Sequence, residues 1–154
     1  MTRATGPFTL HDFVPAHLPE LTDLWLASWK TAMPGIDFEA RRAWFVDHLI
    51  ELEDTGAQII CAFDPNGSMA GFVTIDRISG HLDQLAVAPP HWGGAAAAHL
   101  LDEAKRRSPG VIELEVNQDN MRAVRFYEKS GFARVAAGIN PRSKLKIWRC
   151  RWRR

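Results

Sequence analysis

Gly93-Gly94-Ala95-Ala96-Ala97-Ala98 follows Pro89-Pro90-His91-Trp92 and runs straight into a helical stretch with Leu100 and Leu101 inward. The first amides of a helix lack intrahelical acceptors and carry partial positive charge, so a start without bulk can hold a phosphate or pyrophosphate. The same run also suits a helix that sits close to a sheet, since alanine is a good helix former. A second group lies in Asn117-Gln118-Asp119-Asn120-Met121-Arg122-Ala123 and Phe126-Tyr127-Glu128-Lys129-Ser130-Gly131-Phe132. Asn120 can cap a helix or offer its amide to a ligand, Ala123 permits close approach, and Tyr127 lies two turns on along the same face. Tyr127 also reads as a half-buried core aromatic with its hydroxyl at the rim. A third pair, His81 and Asp83, shares one side of a strand. An imidazole with an ordinary pKa near 6.5 beside a carboxylate suits a general base, and the pair also reads as two residues flanking a turn.

The elements that must position these groups are legible from periodicity. Phe8–Phe13 alternates as a strand; Leu18, Leu21, Trp25, Trp29 and Ala32 form a helical stripe stopped by Pro34-Gly35. Asp37 is placed to cap a second helix lined by Phe38, Phe45, Leu49 and Leu52, ending at Gly56. Gln58–Asp64 and Met69–Ile78 read as a hairpin through Asn66-Gly67, and Leu82–Val87 as a further strand ended by Pro89-Pro90. There follow a helix over 95–107, a strand Val111–Val116, a helix over 120–130, a strand from Phe132 and a last strand over 145–152. In that last strand the apolar phase shifts from Leu145 and Ile147 to Trp148, Cys150 and Trp152. A bulge or strong twist near Ile147-Trp148 is expected, with Arg149, Arg151 and Arg153 outward. The order predicts one mixed α/β (α+β) domain over 1–154, with residues 1–7 a flexible lead-in and the only linker-like loop at Gly138–Ser143.

The length of 154 residues and a hydrophobic share of 46% fit one domain with a real core and exclude a disulfide-stapled mini-protein or a disordered tail. The net charge of +1 hides an asymmetry: seven of the nineteen basic residues, and no acid, lie in Arg142–Arg154. Such an end suits nucleic acid, a membrane surface or a polyanionic ligand. Cys61 and Cys150 sit in apolar segments at a spacing unlike a metal or redox pair and read as buried thiols. Met1–Gly6 lacks a leader pattern, and no apolar run approaches the roughly 18 residues that span a bilayer, so a soluble cytoplasmic protein is expected.

The ordered pattern Leu85-Ala86-Val87-Ala88-Pro89, Gly93–Ala98, Asn120, Ala123, Phe126-Tyr127-Glu128-Lys129 and Gly131-Phe132 resembles the GNAT superfamily of acyl-CoA-dependent N-acyltransferases. The resemblance implies a single domain with a mixed, mostly antiparallel sheet of about six to seven strands, splayed between Leu82–Val87 and Val111–Val116 and flanked by about four helices. It also implies acetyl-CoA as cofactor, with Leu85, Ala86 and Val87 along the pantetheine arm. Trp92 and Gly93, Gly94, Ala95, Ala96, Ala97 and Ala98 would lie at the pyrophosphate, with Asn117, Asn120, Tyr127 and Lys129 completing the cofactor side. Acetyl transfer would then proceed by direct attack of a neutral amine on the thioester. Tyr127, with an ordinary pKa of about 10, would protonate a thiolate of about 8.5, and a strand amide would hold the oxyanion.

His81, with Asp83, stands where family members often place a glutamate base. Trp25, Trp29, Met33 and Trp44 are candidates for the acceptor side. Two positions depart from the pattern: Trp92 replaces Arg or Gln, and Ala95 replaces glycine. If that backbone were left-handed, Ala95 would be strained by about 1 kcal/mol or more. His91, Arg122, Arg125 and Lys129 are candidate sources of charge for the phosphates. The expected partner is a small-molecule, peptide or protein amine, with a homodimer possible and neither nucleic acid, membrane nor metal expected. The alternative is a non-catalytic acyl-CoA-binding or regulatory module, motivated by Trp92 and Ala95.

Overall fold

The computed structural model describes the backbone of residues 2–154 and the side chains of residue 2 and residues 6–154. The order is β1 (Thr2–Thr5), β2 (Phe8–Asp12), α1 (Leu18–Ala32), α2 (Arg42–Asp54), β3 (Ala57–Phe63), β4 (Met69–Asp76), β5 (Leu85–Val87), α3 (Ala96–Arg107), β6 (Val111–Asn117), α4 (Met121–Lys129), β7 (Ala133–Ile139) and β8 (Lys146–Arg153). Among the described residues, no helix is long and apolar enough to cross a membrane.

The strands form two antiparallel sheets, β1-β2-β3-β4-β5 and β6-β8-β7. β3 and β4 read as nearly continuous apolar runs because helices cover both faces of their sheet. Ile59, Cys61 and Phe72 pack under α1 and α2 with Leu21, Trp25, Phe45 and Leu49. Ile60, Ala62, Val73 and Ile75 pack on the other face with Leu100, Leu101 and Ala104 of α3 and with Ile112 and Leu114 of β6. A buried ion pair anchors α3: Glu103 meets Arg106 and Arg107, and Arg107 reaches Asp12 Oδ1 at 2.7 Å and Gln58 Oε1 at 2.9 Å.

The stretch expected as one strand, Leu82–Val87, is divided between the two sheets. Leu82 N donates to Glu113 O and Glu113 N donates to Gly80 O, both at 3.0 Å, giving a parallel bridge between His81 and Glu113. Two residues later the chain has changed partner: Gln84 N donates to Thr74 Oγ1 and Thr74 N donates to Gln84 O, both at 2.9 Å. Gly80 makes the crossing possible, because its φ is +78° and a β-carbon there would lie 2.2 Å from Val111 O. Asp83 therefore stands at the vertex of a fork from which β5 and β6 diverge.

Four details differ from the sequence reading. Thr2–Thr5, inside the expected flexible lead-in, pairs with β2, while Met1 lies outside the described residues. The second helix opens with a tight turn, Glu39–Arg41, before α2, with Asp37 Oδ1 accepting from Ala40 N at 3.3 Å. The irregularity expected near Ile147-Trp148 lies in β7, between Arg134 and Ala136. Arg149 and Arg151 do not form a bare basic face, since the β6–β8 register sets them opposite Glu115 and Glu113, with Arg151 at 2.7 Å and Arg149 at 3.8 Å.

Candidate active site

Beyond the fork, Leu85 of β5 and Leu114 of β6 line opposite walls of a cavity of about 440 Å³. Antiparallel strands bond alternately to either side. Gln84 O and Ala88 N bond to β4, so the backbone groups of Leu85 and Val87 turn toward the gap. Trp92 Nε1 donates to Val87 O at 2.7 Å, which braces the loop against the end of this strand. Ala86 is buried behind the edge.

At the start of α3, Gly93 has φ +80° with open space where a side chain would begin, and no side chain caps the helix. Ala95 has φ −92° and ψ −5°, which is right-handed, so alanine carries no strain there. Gly93, Gly94, Ala95 and Ala98 are exposed, Ala97 is half-buried and Ala96 is buried against the sheet. The Arg122 guanidinium lies 4.7 Å from the Trp92 ring centroid, so the position that lacks a long polar side chain has a cation delivered from α4. His91 Nε2 lies 3.1 Å from Asp64 Oδ2. Arg125 and Lys129 are exposed on α4, away from the lining of the 440 Å³ cavity.

Asn120 caps α4, with Oδ1 accepting from Ala123 N at 3.3 Å. Asn117 and Asn120 line both this cavity and a neighbouring one of about 630 Å³ bounded by Trp29, Met33 and Arg122. Tyr127 lines the first cavity but is only 8% exposed, with edge contacts to Phe126 and Phe132. Burial pushes its phenol well above the ordinary value.

The opposite wall is aromatic. Trp25 stacks on Phe45 at 4.1 Å, and Trp29 on Phe38 at 5.4 Å. Trp25 Nε1 donates to Gln84 Oε1 at 3.2 Å, and Gln84 Nε2 donates to Asp83 Oδ2 at 3.0 Å. His48 Nε2 lies 2.6 Å from the same oxygen, and His81 Nε2 lies 3.6 Å from Oδ1. Burial raises the Asp83 carboxyl, but the contacts with His81, His48 and Gln84 outweigh it and hold the group at about 2. Asp83 in turn raises His81 above its ordinary value. An ionised carboxylate only accepts, so it orients both imidazoles with Nε2–H toward itself.

The structure thus joins His81 and Asp83, as the sequence reading placed them, and adds His48. The available signal for His48 was its position four residues after Trp44 on the helix face that meets the strand. Trp44 and His48 stack at 4.8 Å. Arg41 and Arg142, also absent from that reading, line the same cavity.

Streptothricin acetyltransferase of Streptomyces lavendulae is 30% identical over 91 residues, covering 54% of this chain and 48% of its own. The chain thus spans about half that relative's length. Peptidyl-lysine N-acetyltransferase YiaC of Escherichia coli K12 is 27% identical over 140 residues, covering 89% of this chain and 91% of its own. Among solved structures, the PaiA N-acetyltransferase of Thermoplasma acidophilum in complex with coenzyme A shares the fold. Its TM-score is 0.77 at 17% identity, over 96% of this chain and 99% of its own. The acetyltransferase (GNAT) family model matches residues 18–132, and the chain belongs to that family.

Proposed function

We propose that the protein transfers an acetyl group from acetyl-CoA to a primary amine by direct attack within a ternary complex. The observation that carries this reading is the fork at Asp83, where a strand edge at Leu85 and a histidine–carboxylate cluster line one cavity, and where the chain leaving that strand runs within nine residues into the uncapped start of α3. When bound, the thioester supplies the activated acyl group. Leu85 would offer its backbone groups, and Val87 its N–H, to the pantetheine arm, with the Leu85 amide as oxyanion donor, since Val87 O already accepts from Trp92. The first-turn amides of α3, with Arg122, would hold the phosphates, and Asn117 and Asn120 would flank the arm.

Ionised Asp83 holds His81 with one ring nitrogen directed at itself, which leaves the other to take a proton from the incoming ammonium. His48 fixes the same carboxylate from α2. Tyr127, kept protonated by burial, gives its hydroxyl proton to the departing thiolate and recovers one from the nitrogen of the new amide, which sheds its second proton as the adduct collapses. The rate should rise with pH through the His81 value, which lies above the ordinary 6.5.

The test is thiol release from acetyl-CoA in the presence of a panel of primary amines, with CoA affinity measured separately by calorimetry. Amine-dependent release, slowed in Tyr127→Phe with CoA affinity retained, is expected. CoA binding without transfer to any amine would identify a non-catalytic acyl-CoA-binding module instead. Unchanged turnover in Tyr127→Phe would remove Tyr127 from the proton path.

A further inference from the structure

The cavity is electrically polarised. Asp83 lies at the fork, while two guanidiniums, Arg41 and Arg142, line the cavity from the turn before α2 and from the β7–β8 loop. Many arginines elsewhere in the fold face carboxylates: Arg42 with Glu39 and Asp23, Arg106 and Arg107 with Glu103, Arg134 with Glu128, Arg151 with Glu113. Among the described residues, Arg41 and Arg142 have no carboxylate within ion-pair distance. Each rests on an aromatic face instead, Arg41 at 5.0 Å from the Phe38 centroid and Arg142 at 4.2 Å from the Trp44 centroid.

Stacking uses the flat face of a guanidinium and leaves its in-plane N–H fork available, which matches a carboxylate in bidentate fashion. Arg142 is separated from Asp83 by Trp44 and His48, stacked on each other. An acceptor whose amine lies near the fork would therefore meet the cations only at its far end, past the aromatic wall. A second ammonium there would face two guanidiniums, and the other carboxylate lining the cavity, Glu115, already faces Arg149 at 3.8 Å.

We infer that Arg41 and Arg142 form an anion subsite, and that the acceptor is zwitterionic: a primary amine with a carboxylate several bonds away, joined by an apolar spacer. This rests on the proposed acetyl transfer and narrows its acceptor class. The carboxylate can belong to a free ω-amino acid or to the C-terminus of a peptide ending in lysine.

Three amines of matched length test it: ω-aminohexanoate, hexylamine and α,ω-diaminohexane. With the native protein, kcat/KM should be highest for ω-aminohexanoate, by about tenfold over hexylamine, mainly through KM. Arg142→Gln or Arg41→Gln should cut that ratio by most of this factor, and added salt should shrink it in the native protein. A best rate with the diamine, or a ratio unaffected by either substitution, overturns the inference. A peptide ending in lysine, as free acid and as amide, separates the sources. Preference for the free acid places the carboxylate on a peptide, and rejection of both places it on a free amino acid.

Calorimetry with CoA-loaded protein keeps the two readings distinguishable. Selective binding of ω-aminohexanoate without transfer retains the anion subsite and rejects the enzyme. Equal transfer to all three amines does the reverse.

Discussion

Replacing Asp83 by Asn isolates the charge at the fork, because the amide keeps the carboxyl's size and one acceptor oxygen. The native carboxyl is lowered from the ordinary 3.8 to about 2. That difference corresponds to about 2.5 kcal/mol of stability carried by the ionised form. The folded value is the lower one, so this contribution is fully present above pH 3.8 and is lost as pH falls through about 2.

His81 supplies the opposite limb. Its value is raised in the fold, so its share is present below 6.5 and is lost as pH rises through the folded value. The stability difference between native protein and Asp83→Asn should therefore peak between about pH 4 and pH 6, shrink as pH rises through the folded His81 value and fade toward about pH 2. At the peak it should reach about 2 to 3 kcal/mol, which for a domain of this size lowers Tm by roughly 5 to 10 °C. Urea unfolding across that pH range measures it. A difference of constant size at every pH would mean that the substitution disturbs packing, and would refute the ionised clamp. In turnover, the same variant should lower kcat and move the His81-dependent limb to lower pH.

Three further outcomes follow from the geometry. Gly80→Ala forces a β-carbon to 2.2 Å from Val111 O at a left-handed φ. It should cost about 2 kcal/mol or more and speed hydrogen exchange at the Leu82 and Glu113 amides, where the two sheets are joined. Glu103→Gln leaves Arg107 without its buried carboxylate partner, with native side-chain exposures of 9% and 1%. A loss of about 3 kcal/mol is expected in urea at neutral pH. It should diminish as pH falls through the lowered Glu103 value, because that carboxyl sits below the ordinary 4.5 in the fold. Gly93→Val places a β-branched residue at φ +80° beside the uncapped start of α3. It should weaken CoA binding by about tenfold by calorimetry, through backbone strain of roughly 1 to 2 kcal/mol and lost access.

Much of the frame was legible in the sequence because each element has a strong local signature. The stripe from Leu18 to Ala32, the reversal at Asn66-Gly67 and the small-residue start of α3 all lie where periodicity and turn chemistry put them. The convergence of Leu85, Asn120 and Tyr127 on one cavity follows from the same cause, since each is fixed by a motif within one element or its cap. The splay between Leu82–Val87 and Val111–Val116 was implied by the family resemblance, but its vertex at Asp83 was not, because a change of hydrogen-bonding partner between Leu82 and Gln84 depends on where β6 passes, far along the chain. His48 was missed because it enters the site only through the packing of α2 against that fork. Arg41 and Arg142 were missed for a different reason: each reads as a solvated loop cation, and only the folded turn sets Arg41 over Phe38 and only the packing of α2 sets Trp44 under Arg142. The basic end was the opposite case, since cross-strand pairing with Glu113 and Glu115 offsets charge that composition alone makes conspicuous.

The most direct test of the central claim is an amide-resolved NMR titration of the protein with CoA. Shift changes should concentrate at Leu85 and Val87, through Gly93 to Ala98, and around Asn120 and Arg122, with β1 and β7 unmoved. Changes spread elsewhere, or saturable binding that leaves the β5 edge and the start of α3 unperturbed, would contradict the assignment of the cofactor to this fork.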